Sequence, residues 1–415
     1  MTPPLRRFCS AWLIAVAACS SQNATTRPVA PAPAGGAQAV VLISLDAFRW
    51  DYLQRRWAVN LRALAARGVH AERMVPSYPS LTFPNHYALV TGKYPEHNGI
   101  VANNMRDSVL GGFRMSDSLA VHNEQWWTGE PIWATAERQG RRTGAFFWPG
   151  SEVGHAGVWA TRWMHFNDKF PNAARIDSVL TWLTLPGSQA MSFVALYYSD
   201  VDHAGHTFGP ASPQVDSAIA VVDSMIGRLV AGLAARGLTD RVNVVVVSDH
   251  GMTDVAPDHI IYLDDYISAA DADIVDASEL GQIRPKPGKL DAVYRALKDA
   301  HPHMKAYLKA EVPARFHYND NPRITPIVLM SDLGWVMTSR ARGAGWKPNK
   351  GAHGFDNQAF DMGASFIAAG PAFRSGYTSP PFQNVHVYDL LCRILGIRPA
   401  SNDGSPDSTR AMLRK

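Results

Sequence analysis

The sequence predicts a doubly wound α/β fold, in which a mostly parallel sheet is flanked by helices. Residues 39–45 form a continuous apolar, β-branched run that ends at Asp46, a pattern typical of a strand buried on both faces. Three further runs have the same character, at residues 191–199, 242–248 and 364–369. Helical patterns followed by glycine lie between the runs, at residues 60–67, 131–139 and 213–236. Alternation of this kind favours one sheet with helices on its faces.

The regular alternation is interrupted between residues 262 and 350, where the segments become shorter and more polar. This stretch contains a basic helical pattern at residues 289–305 and a hairpin-like segment at residues 306–318. We therefore predict a small inserted α+β lobe over residues 262–350, within a main domain that spans residues 38–400. Residues 401–415 are predicted to form a frayed tail.

The N-terminus has the pattern of an export signal. Arg6 and Arg7 precede a short apolar run that ends before Cys19, and this run is too short to cross a bilayer stably. Residues 16–19, Val-Ala-Ala-Cys, resemble a bacterial lipobox, which implies a signal peptide over residues 1–18, a lipid on Cys19 and a polar tether over residues 19–37. An ordinary cleaved signal is the alternative. The lipobox predicts a periplasmic protein anchored to the outer membrane, because Ser20 follows the cysteine.

Charge and cysteine content exclude several classes of function. The formal charge is +4, and removal of Arg6 and Arg7 leaves about +2, too small a balance to predict binding to nucleic acid or to anionic lipid. Of the three cysteines, only Cys392 would remain as a free thiol, in an apolar helical context. A disulfide in the mature domain and a thiolate metal site are therefore not expected.

Polar residues follow three of the predicted strands, where ligands bind in open α/β sheets. Asp46 ends the first strand, Asp202 and His206 follow the second, and Asp249 and His250 follow the third. Taken singly, an aspartate after a strand more often caps a helix or a turn. The recurrence at three strand ends favours a common site.

The spacing of these residues is compatible with metal coordination. Asp202 and His206 are four residues apart, so they could share one face of a helical turn, whereas Asp200 and His203 are the competing choices. Asp249 and His250 are adjacent and can converge only if the chain turns off the sheet, which Gly251 permits.

His353 lies between glycines in the segment 351–354, where a sharp loop could aim its imidazole inward, although a lone loop histidine is commonly just a surface residue. With it, the candidates comprise three carboxylates and three imidazoles without a thiolate. This donor set suits two borderline divalent ions, zinc first, with manganese or iron as substitutes.

Residues 80–92 predict a short helix with Thr82 as its N-cap, Pro84 in its first turn and Gly92 at its end. Thr82 could serve only as a cap. A hydroxyl at a helix N-terminus, however, feels the positive end of the helix dipole and can lose its proton when it also binds a divalent ion. Such an alkoxide could attack a phosphoryl group.

Together these residues resemble the nucleotide pyrophosphatase/phosphodiesterase family of the alkaline phosphatase superfamily, and the likeness extends from residue 40 to residue 397. Its motifs in this sequence are Leu45-Asp46, Thr82-Phe-Pro-Asn85, Thr91-Gly92, Tyr94-Pro-Glu96, Gly99-Ile-Val101 with Asn103, Glu130-Pro-Ile-Trp133, Phe147-Trp-Pro-Gly-Ser-Glu152, Asp202 with His206, Ser248-Asp-His-Gly-Met252 and His353-Gly-Phe-Asp-Asn357.

The resemblance implies an alkaline phosphatase-like catalytic domain that binds two zinc ions. One ion would be held by Asp202, His206 and His353. The other would be held by Asp46, Thr82, Asp249 and His250, with Thr82 acting also as the nucleophile. Asn103 would donate its side-chain amide to a phosphoryl oxygen, and Asn104 is the alternative donor.

The implied reaction is a two-step hydrolysis of a nucleotide phosphodiester or phosphoanhydride through phosphothreonine, which releases a nucleoside 5'-monophosphate. Phe83 resembles the base-stacking aromatic residue of the family, and Phe166 and Tyr197 could complete an apolar slot. A phospholipid or glycerophosphodiester could use the same slot. The remaining alternative is a non-catalytic zinc-binding surface lipoprotein, and the oligomeric state is left open.

Two related enzyme classes fit less well. A sulfatase would need a cysteine or serine where Thr82 stands, and an arginine where His86 stands. Phosphomonoesterases of the superfamily use a lysine and an arginine to neutralise the second phosphate charge, and the corresponding segment 147–152 contains no cation. The sequence therefore favours diesters.

Overall fold

The computed structural model of the chain describes Met1, residues 38–342 and residues 346–415. Apart from Met1, the predicted signal peptide (1–18) and tether (19–37), including Cys19, lie outside these residues. The strands of the described part are β1 (Ala39–Leu45), β2 (Val69–Ala71), β3 (Met74–Val75), β4 (Asn104–Asp107), β5 (Gly111–Arg114), β6 (Thr143–Phe146), β7 (Arg162–Met164), β8 (Phe193–Tyr198), β9 (Val242–Val247), β10 (Thr253–Asp254), β11 (Ile260–Tyr262), β12 (Ala272–Ala277), β13 (Leu280–Pro285), β14 (Met304–Leu308), β15 (Ile327–Ser331), β16 (Val336–Thr338), β17 (Gly351–Ala352), β18 (Phe366–Ala369), β19 (Tyr377–Ser379) and β20 (Phe382–Gln383). The α-helices are α1 (Val59–Arg67), α2 (Thr82–Thr91), α3 (Pro95–Asn98), α4 (Ser118–Val121), α5 (Ile132–Arg138), α6 (Asn172–Leu183), α7 (Asp200–Phe208), α8 (Pro213–Ala235), α9 (Leu290–Leu297), α10 (His386–Leu395) and α11 (Asp407–Arg410).

The central sheet has eight strands in the order β19-β2-β18-β9-β1-β8-β6-β7. Strand β1 lies between β8 and β9 and is parallel to both, with Leu45 opposite Tyr198 and Ser44 opposite Val247. Strands β6 and β7 extend the parallel part. Because the three middle strands end at the same level, the residues that follow them meet at one edge of the sheet. The predicted fold class, a mostly parallel sheet in an α/β fold, is confirmed.

Strand β18 differs from the sequence-based expectation. The apolar run at residues 364–369 predicts a further strand of the mostly parallel sheet, but β18 is antiparallel to β9 and to β2. All four of its residues are buried. A continuous apolar run indicates burial on both faces of a sheet and carries no information on chain direction, so the pattern identified the strand but not its orientation.

Helices cover both faces of the sheet, and alternate residues of β1 enter two separate cores. Val41 and Ile43 belong to the core beneath α1, α6 and α8, whereas Val40 and Leu42 belong to the core beneath α2, α5 and α10. Helix α8 is long and apolar enough to cross a membrane by length and composition. Its buried residues pack in the first of these cores, as expected for a helix that covers a sheet.

A second, antiparallel sheet lies within the predicted lobe range of 262–350. Its strand order is β12-β13-β15-β14, and α9 packs with it around a small core of its own. The predicted hairpin at 306–318 is wrong, because β14 pairs with β15 instead, across an eighteen-residue connection. Arg323, in this connection, is buried and donates to the carbonyl oxygens of Gly99 and Trp126 in the main domain. The connection therefore joins the lobe to the main domain through Arg323. A local turn pattern in the sequence does not report this long-range contact.

The C-terminal residues 401–415 are packed rather than frayed. Helix α11 lies in this segment, Met412 is buried, and its carbonyl accepts the N–H of Arg374. The Asp403 carboxylate accepts the backbone N–H of Tyr94 at 2.9 Å. The segment is polar with a single well-buried apolar anchor, so it lacks the periodicity by which a packed element is predicted.

Candidate active site

The seven predicted metal ligands converge at the carboxyl edge of the central sheet. They come from five structural features: Asp46 follows β1, Asp249 and His250 follow β9, Asp202 and His206 lie on α7, His353 follows β17, and Thr82 begins α2. Their side chains are buried or nearly so. The site therefore depends on the register of the sheet and on the two helices that begin beside it.

Asp202, His206 and His353 form the first group of ligands. Asp202 Oδ1 lies 3.3 Å from His206 Nε2 and 3.5 Å from His353 Nε2. The Nδ1 atoms of the two histidines contact the carbonyl oxygens of Gly351 and Ser80, at 2.8 and 2.9 Å. With the ring proton on Nδ1, both Nε2 atoms would be free to bind a metal. A carbonyl partner on the other nitrogen is the usual support of a metal-binding histidine.

His250 is at the centre of the second group. Its Nε2 lies 2.9 Å from Asp249 Oδ2, 3.6 Å from Asp46 Oδ1 and 3.3 Å from Thr82 Oγ1. Asp249 and His250 converge because the chain leaves the sheet at Gly251, where a Cβ atom would meet the carbonyl oxygen of Asp361 at 2.0 Å. The expected turn at Gly251 thus has a steric cause, the close approach of another backbone segment.

Short strands connect the two groups. Strand β10, just after His250, pairs with β17, just before His353, and the two imidazoles stack with ring centroids 3.6 Å apart. A Cβ atom on Gly351 would lie 2.5 Å from the carbonyl oxygen of Gly205 in α7. Glycine is therefore required here if His353 is to reach the ligands on α7.

The buried carboxylates fit metal ions. Among the described residues, Asp46 Oδ1, Asp202 Oδ1 and Asp249 Oδ2 are buried oxygens without a hydrogen-bond partner. Burial and the nearby charge of Asp249 raise the pKa of Asp46 well above its ordinary value, because neighbouring carboxylates in a buried site repel one another. Divalent cations would remove this repulsion and supply the missing partners.

The imidazoles differ in their protonation. Burial lowers the pKa of His353 to about 3, so this ring is neutral at physiological pH, the form that binds a metal. For His206, burial lowers the pKa but the adjacent Asp202 carboxylate outweighs it and raises the pKa to about 9, and Asp249 likewise raises the pKa of His250, so a metal that bound these two rings would displace a proton. The described residues thus place nitrogen and oxygen donors in overlapping groups of three: Asp202 with His206 and His353, Asp46 with Asp202 and His250, and Asp46 with His86 and Asp249.

Thr82 is the first residue of α2 and is not its N-cap, which corrects the sequence-based expectation. The N-cap is Leu81, without a side-chain capping bond, and the Thr82 hydroxyl faces His250. A capping threonine would direct its oxygen to the helix N–H groups. The observed hydroxyl instead lies 3.3 Å from His250 Nε2, while it remains at the positive end of the helix dipole.

Asn103, rather than Asn104, lies against this helix. Its Oδ1 accepts the backbone N–H of Phe83 at 3.0 Å, which leaves its Nδ2 as a donor. The Asn104 side chain instead contacts Asp276 of the lobe at 3.3 Å. Of the two candidates left open by the sequence, the structure therefore places Asn103 next to Thr82.

The three aromatic candidates have different surroundings. Phe166 is 50% exposed, and its ring centroid lies 6.1 Å from that of Tyr197. Phe83 packs with Trp127 and Phe113. Tyr197 is buried, and its hydroxyl donates to Asp46 Oδ2 at 2.7 Å. The sequence-based interpretation places Tyr197 in the apolar slot for a ligand. In the structure its hydroxyl is instead hydrogen-bonded to Asp46.

His86 is a component of the site that the sequence does not indicate. It is fully buried, its Nδ1 lies 3.3 Å from Asp249 Oδ2 and 2.8 Å from the Thr82 carbonyl oxygen, and its Nε2 contacts Ser44 Oγ at 2.8 Å. A single buried histidine in a helix gives no sequence signal for this role. Its i+4 spacing from Thr82 is the one local indication.

A hydroxyl in contact with His250, beside buried carboxylates and further imidazoles at the carboxyl edge of such a sheet, indicates a metal-dependent hydrolase of the alkaline phosphatase-like fold. Comparison with known proteins agrees: residues 40–356 match the family described as type I phosphodiesterase / nucleotide pyrophosphatase. The chain belongs to this family. The predictions of family, fold and hydrolase class are thereby confirmed.

Individual relatives are similar over nearly the whole chain. Human ectonucleotide pyrophosphatase/phosphodiesterase family member 7 is 40% identical, over 92% of this chain and 86% of its own length. The bis(5'-adenosyl)-triphosphatase of Xenopus laevis is 38% identical, over 90% of this chain and 81% of its own length. An inactive variant of murine ectonucleotide pyrophosphatase/phosphodiesterase 5 in complex with AMP superposes with a TM-score of 0.87 at 34% identity, covering 91% of this chain and all of the other.

The Tyr197 hydroxyl gives a testable prediction. Tyr197→Phe removes the hydrogen bond to Asp46 without changing the packed ring, and we expect metal affinity to fall about tenfold to a hundredfold. Metal affinity is measured by competition with a chelator of known affinity. Tyr198→Phe is the matched control, because its hydroxyl donates to the Asn172 carbonyl oxygen instead. Equal affinities for wild type and Tyr197→Phe would show that Tyr197 does not support Asp46.

Proposed function

We propose that this chain hydrolyses phosphodiester or phosphoanhydride bonds of nucleotides and releases nucleoside 5'-monophosphates, with Thr82 as its nucleophile. The observation that carries this proposal is the position of the Thr82 hydroxyl, 3.3 Å from His250 Nε2 and in the same buried site as the carboxylates of Asp46 and Asp249. A threonine that only capped a helix would have no reason to face this group.

We infer that the site holds two zinc ions, one on Asp202, His206 and His353, and the other on Asp46, Thr82, Asp249 and His250. The bound ions would lower the pKa of the attacking hydroxyl and neutralise charge on the phosphoryl group. Two geometric facts support this division of the ligands. Asp202 contacts both histidines of the first group, and His250 contacts each other member of the second.

In the first step, the Thr82 hydroxyl loses its proton to solvent and its Oγ forms the new O–P bond. The bond to the leaving group breaks in line with it, and the departing oxygen takes up a proton from solvent. In the second step, water attacks the phosphothreonine and loses a proton, the bond to Thr82 breaks, Thr82 Oγ is protonated again, and the monoester is released. The N-terminus of α2 stabilises the negative charge at both stages. Asn103 would donate its Nδ2 to a phosphoryl oxygen, since its Oδ1 is already held by Phe83 N–H.

Nucleotides are the proposed substrates because aromatic side chains lie around the site and because of what the relatives bind. Phe166 presents a half-exposed ring that could stack on a nucleobase, and Phe83 follows the nucleophile directly. The murine relative was solved with AMP, and the frog relative is named for a dinucleotide substrate. The residues that would then bind substrate are Phe83, Phe166 and Asn103. Tyr197 would line the slot between Phe166 and Asp46, since it contacts both.

We further propose that the chain is exported and tethered by a lipid on Cys19. The support is the N-terminal sequence alone: two arginines, a short apolar run and Val-Ala-Ala-Cys, followed by a tether rich in proline and alanine. The folded domain begins its first strand at Ala39, about twenty residues beyond Cys19, which leaves room for a polar linker.

Replacement of the nucleophile tests the reaction. Thr82→Ala is expected to reduce kcat for a nucleotide diester by at least about a thousandfold, while zinc content stays near that of the wild type because the remaining ligands persist. Thr91→Ala, in the last turn of the same helix, is the control and should retain activity. Undiminished hydrolysis by Thr82→Ala would refute its role, and inactive wild-type protein with full zinc content would favour a non-catalytic binding protein.

A substrate panel tests specificity. We expect kcat/KM for a nucleotide diester to exceed that for a phosphate monoester, a sulfate ester and a phosphocholine ester. Phe166→Ala should raise KM for the nucleotide diester by about tenfold, since base stacking on an aromatic ring contributes about 1–3 kcal/mol. Trp57→Ala removes another exposed ring and is the control. A higher kcat/KM for the phosphocholine ester than for the nucleotide diester would show that the substrates are phospholipids rather than nucleotides.

The anchor is tested by mass spectrometry of the protein from membrane and soluble fractions. We expect the mature N-terminus at Cys19 with a covalent lipid, and release of Cys19→Ser into the soluble fraction. A mature N-terminus elsewhere, without a lipid, would indicate an ordinary cleaved signal.

A further inference from the structure

A second cluster of metal-ligating side chains lies outside the proposed catalytic residues. It consists of His122, Glu152 and His165, here called the rim cluster. Glu152 Oε2 lies 2.8 Å from His122 Nε2 and 2.6 Å from His165 Nδ1, and the two imidazole centroids are 4.9 Å apart. One ligand atom of each residue lies within 4.8 Å of the others.

Three separate chain segments build the rim cluster. His122 follows α4, Glu152 follows β6, and His165 follows β7. Proximity in sequence therefore does not explain their convergence. Residues from different segments, with three potential ligand atoms within 4.8 Å of one another, have the composition and spacing of a coordination site.

The surroundings of the rim cluster hold its donors in place. The Glu152 side chain is only 10% exposed, and its second oxygen, Oε1, accepts the backbone N–H of Phe166 at 3.0 Å. The ring of His165 meets that of Trp163 edge-on at 4.8 Å, and Trp159 stacks on Trp163 at 5.0 Å. The carboxylate is thus oriented by a backbone donor and one imidazole by an aromatic pair, contacts of the kind that orient metal ligands.

We propose that the rim cluster binds a third divalent transition-metal ion, separate from the ions of the catalytic site. Two imidazoles and one carboxylate form an established ligand set for zinc, with further positions left to water or another ligand. In a tetrahedral site with bonds of about 2.0–2.1 Å, the ligand atoms are roughly 3.3 Å apart. The two nitrogen–oxygen separations, 2.8 and 2.6 Å, would have to widen by about 0.5–0.7 Å to reach this spacing, which the exposure of the histidine side chains, 36% and 66%, permits.

The rim cluster is next to the proposed substrate slot. Phe166 follows His165 in the chain and donates its N–H to Glu152. An ion that fixes His165 and Glu152 would therefore also fix the backbone of Phe166. This consequence rests on the proposed function of Phe166, whereas binding of the ion does not.

Zinc stoichiometry tests the proposal. Purified protein is dialysed against increasing free zinc, and the metal bound per chain is measured by elemental analysis. We expect the wild type to bind one equivalent more than His122→Ala and His165→Ala at the same free zinc concentration, with the affinity for this equivalent lowered by roughly tenfold or more in each variant. His303→Ala is the matched control, because His303 forms an exposed pair with Asp332 at 3.1 Å, and it should retain the additional equivalent.

The difference between wild type and variants is independent of the catalytic ions. If the proposed catalytic residues did not bind zinc, Asp202→Asn would bind as much zinc per chain as the wild type. His165→Ala would still bind one equivalent less. Circular dichroism checks that each variant is folded. Equal zinc binding by wild type, His122→Ala and His165→Ala would overturn the proposal and show that the two histidines serve only as hydrogen-bond donors to Glu152.

Discussion

The site depends on the burial of three carboxylates at one sheet edge. Asp46, Asp202 and Asp249 follow β1, β8 and β9, and among the described residues each has a buried oxygen without a hydrogen-bond partner, next to imidazole nitrogens at 2.9–3.6 Å. Such an arrangement is unfavourable without positive charge, because buried like charges repel and unpaired buried oxygens lose their solvation. The surrounding residues hold these oxygens in positions from which they could bind cations.

Hydrogen bonds around the ligands serve this purpose. The Nδ1 atoms of His206, His250 and His353 each contact a backbone carbonyl oxygen, at 2.8–2.9 Å, so each ring presents Nε2 to the site. Tyr197 holds one oxygen of Asp46, and the backbone N–H of Ala47 donates to Asp249 at 3.2 Å. These contacts fix ring orientation and carboxylate position before any ion binds, which lowers the reorganisation that binding requires.

The sequence predicts the part of the site that follows local rules. Asp46 and Asp249 directly follow strongly apolar strands, and the i, i+4 spacing of Asp202 and His206 is a helical relation, so local patterns suffice for them. Tyr197 and His86 contact Asp46 and Asp249 across 151 and 163 positions of sequence, respectively, and no local pattern reports such contacts. The direction of β18 is undetermined for the same reason, since its apolar run is compatible with either orientation.

In the proposed function, the residues assigned to the reaction and the residue assigned to substrate selection lie on different parts of the fold. The proposed metal ligands and Thr82 are fixed by the central sheet and by α2 and α7, where a displaced strand would disrupt the core. Phe166, by contrast, lies beyond the short strand β7, half exposed and held through its backbone by Glu152. Loops of this kind can change without loss of the core, as expected for the part of a scaffold that determines which substrate is accepted. The Glu152 carboxylate contacts both histidines of the rim cluster and the backbone of Phe166. A metal ion bound at the proposed rim site would therefore also affect the position of Phe166 in the proposed substrate slot.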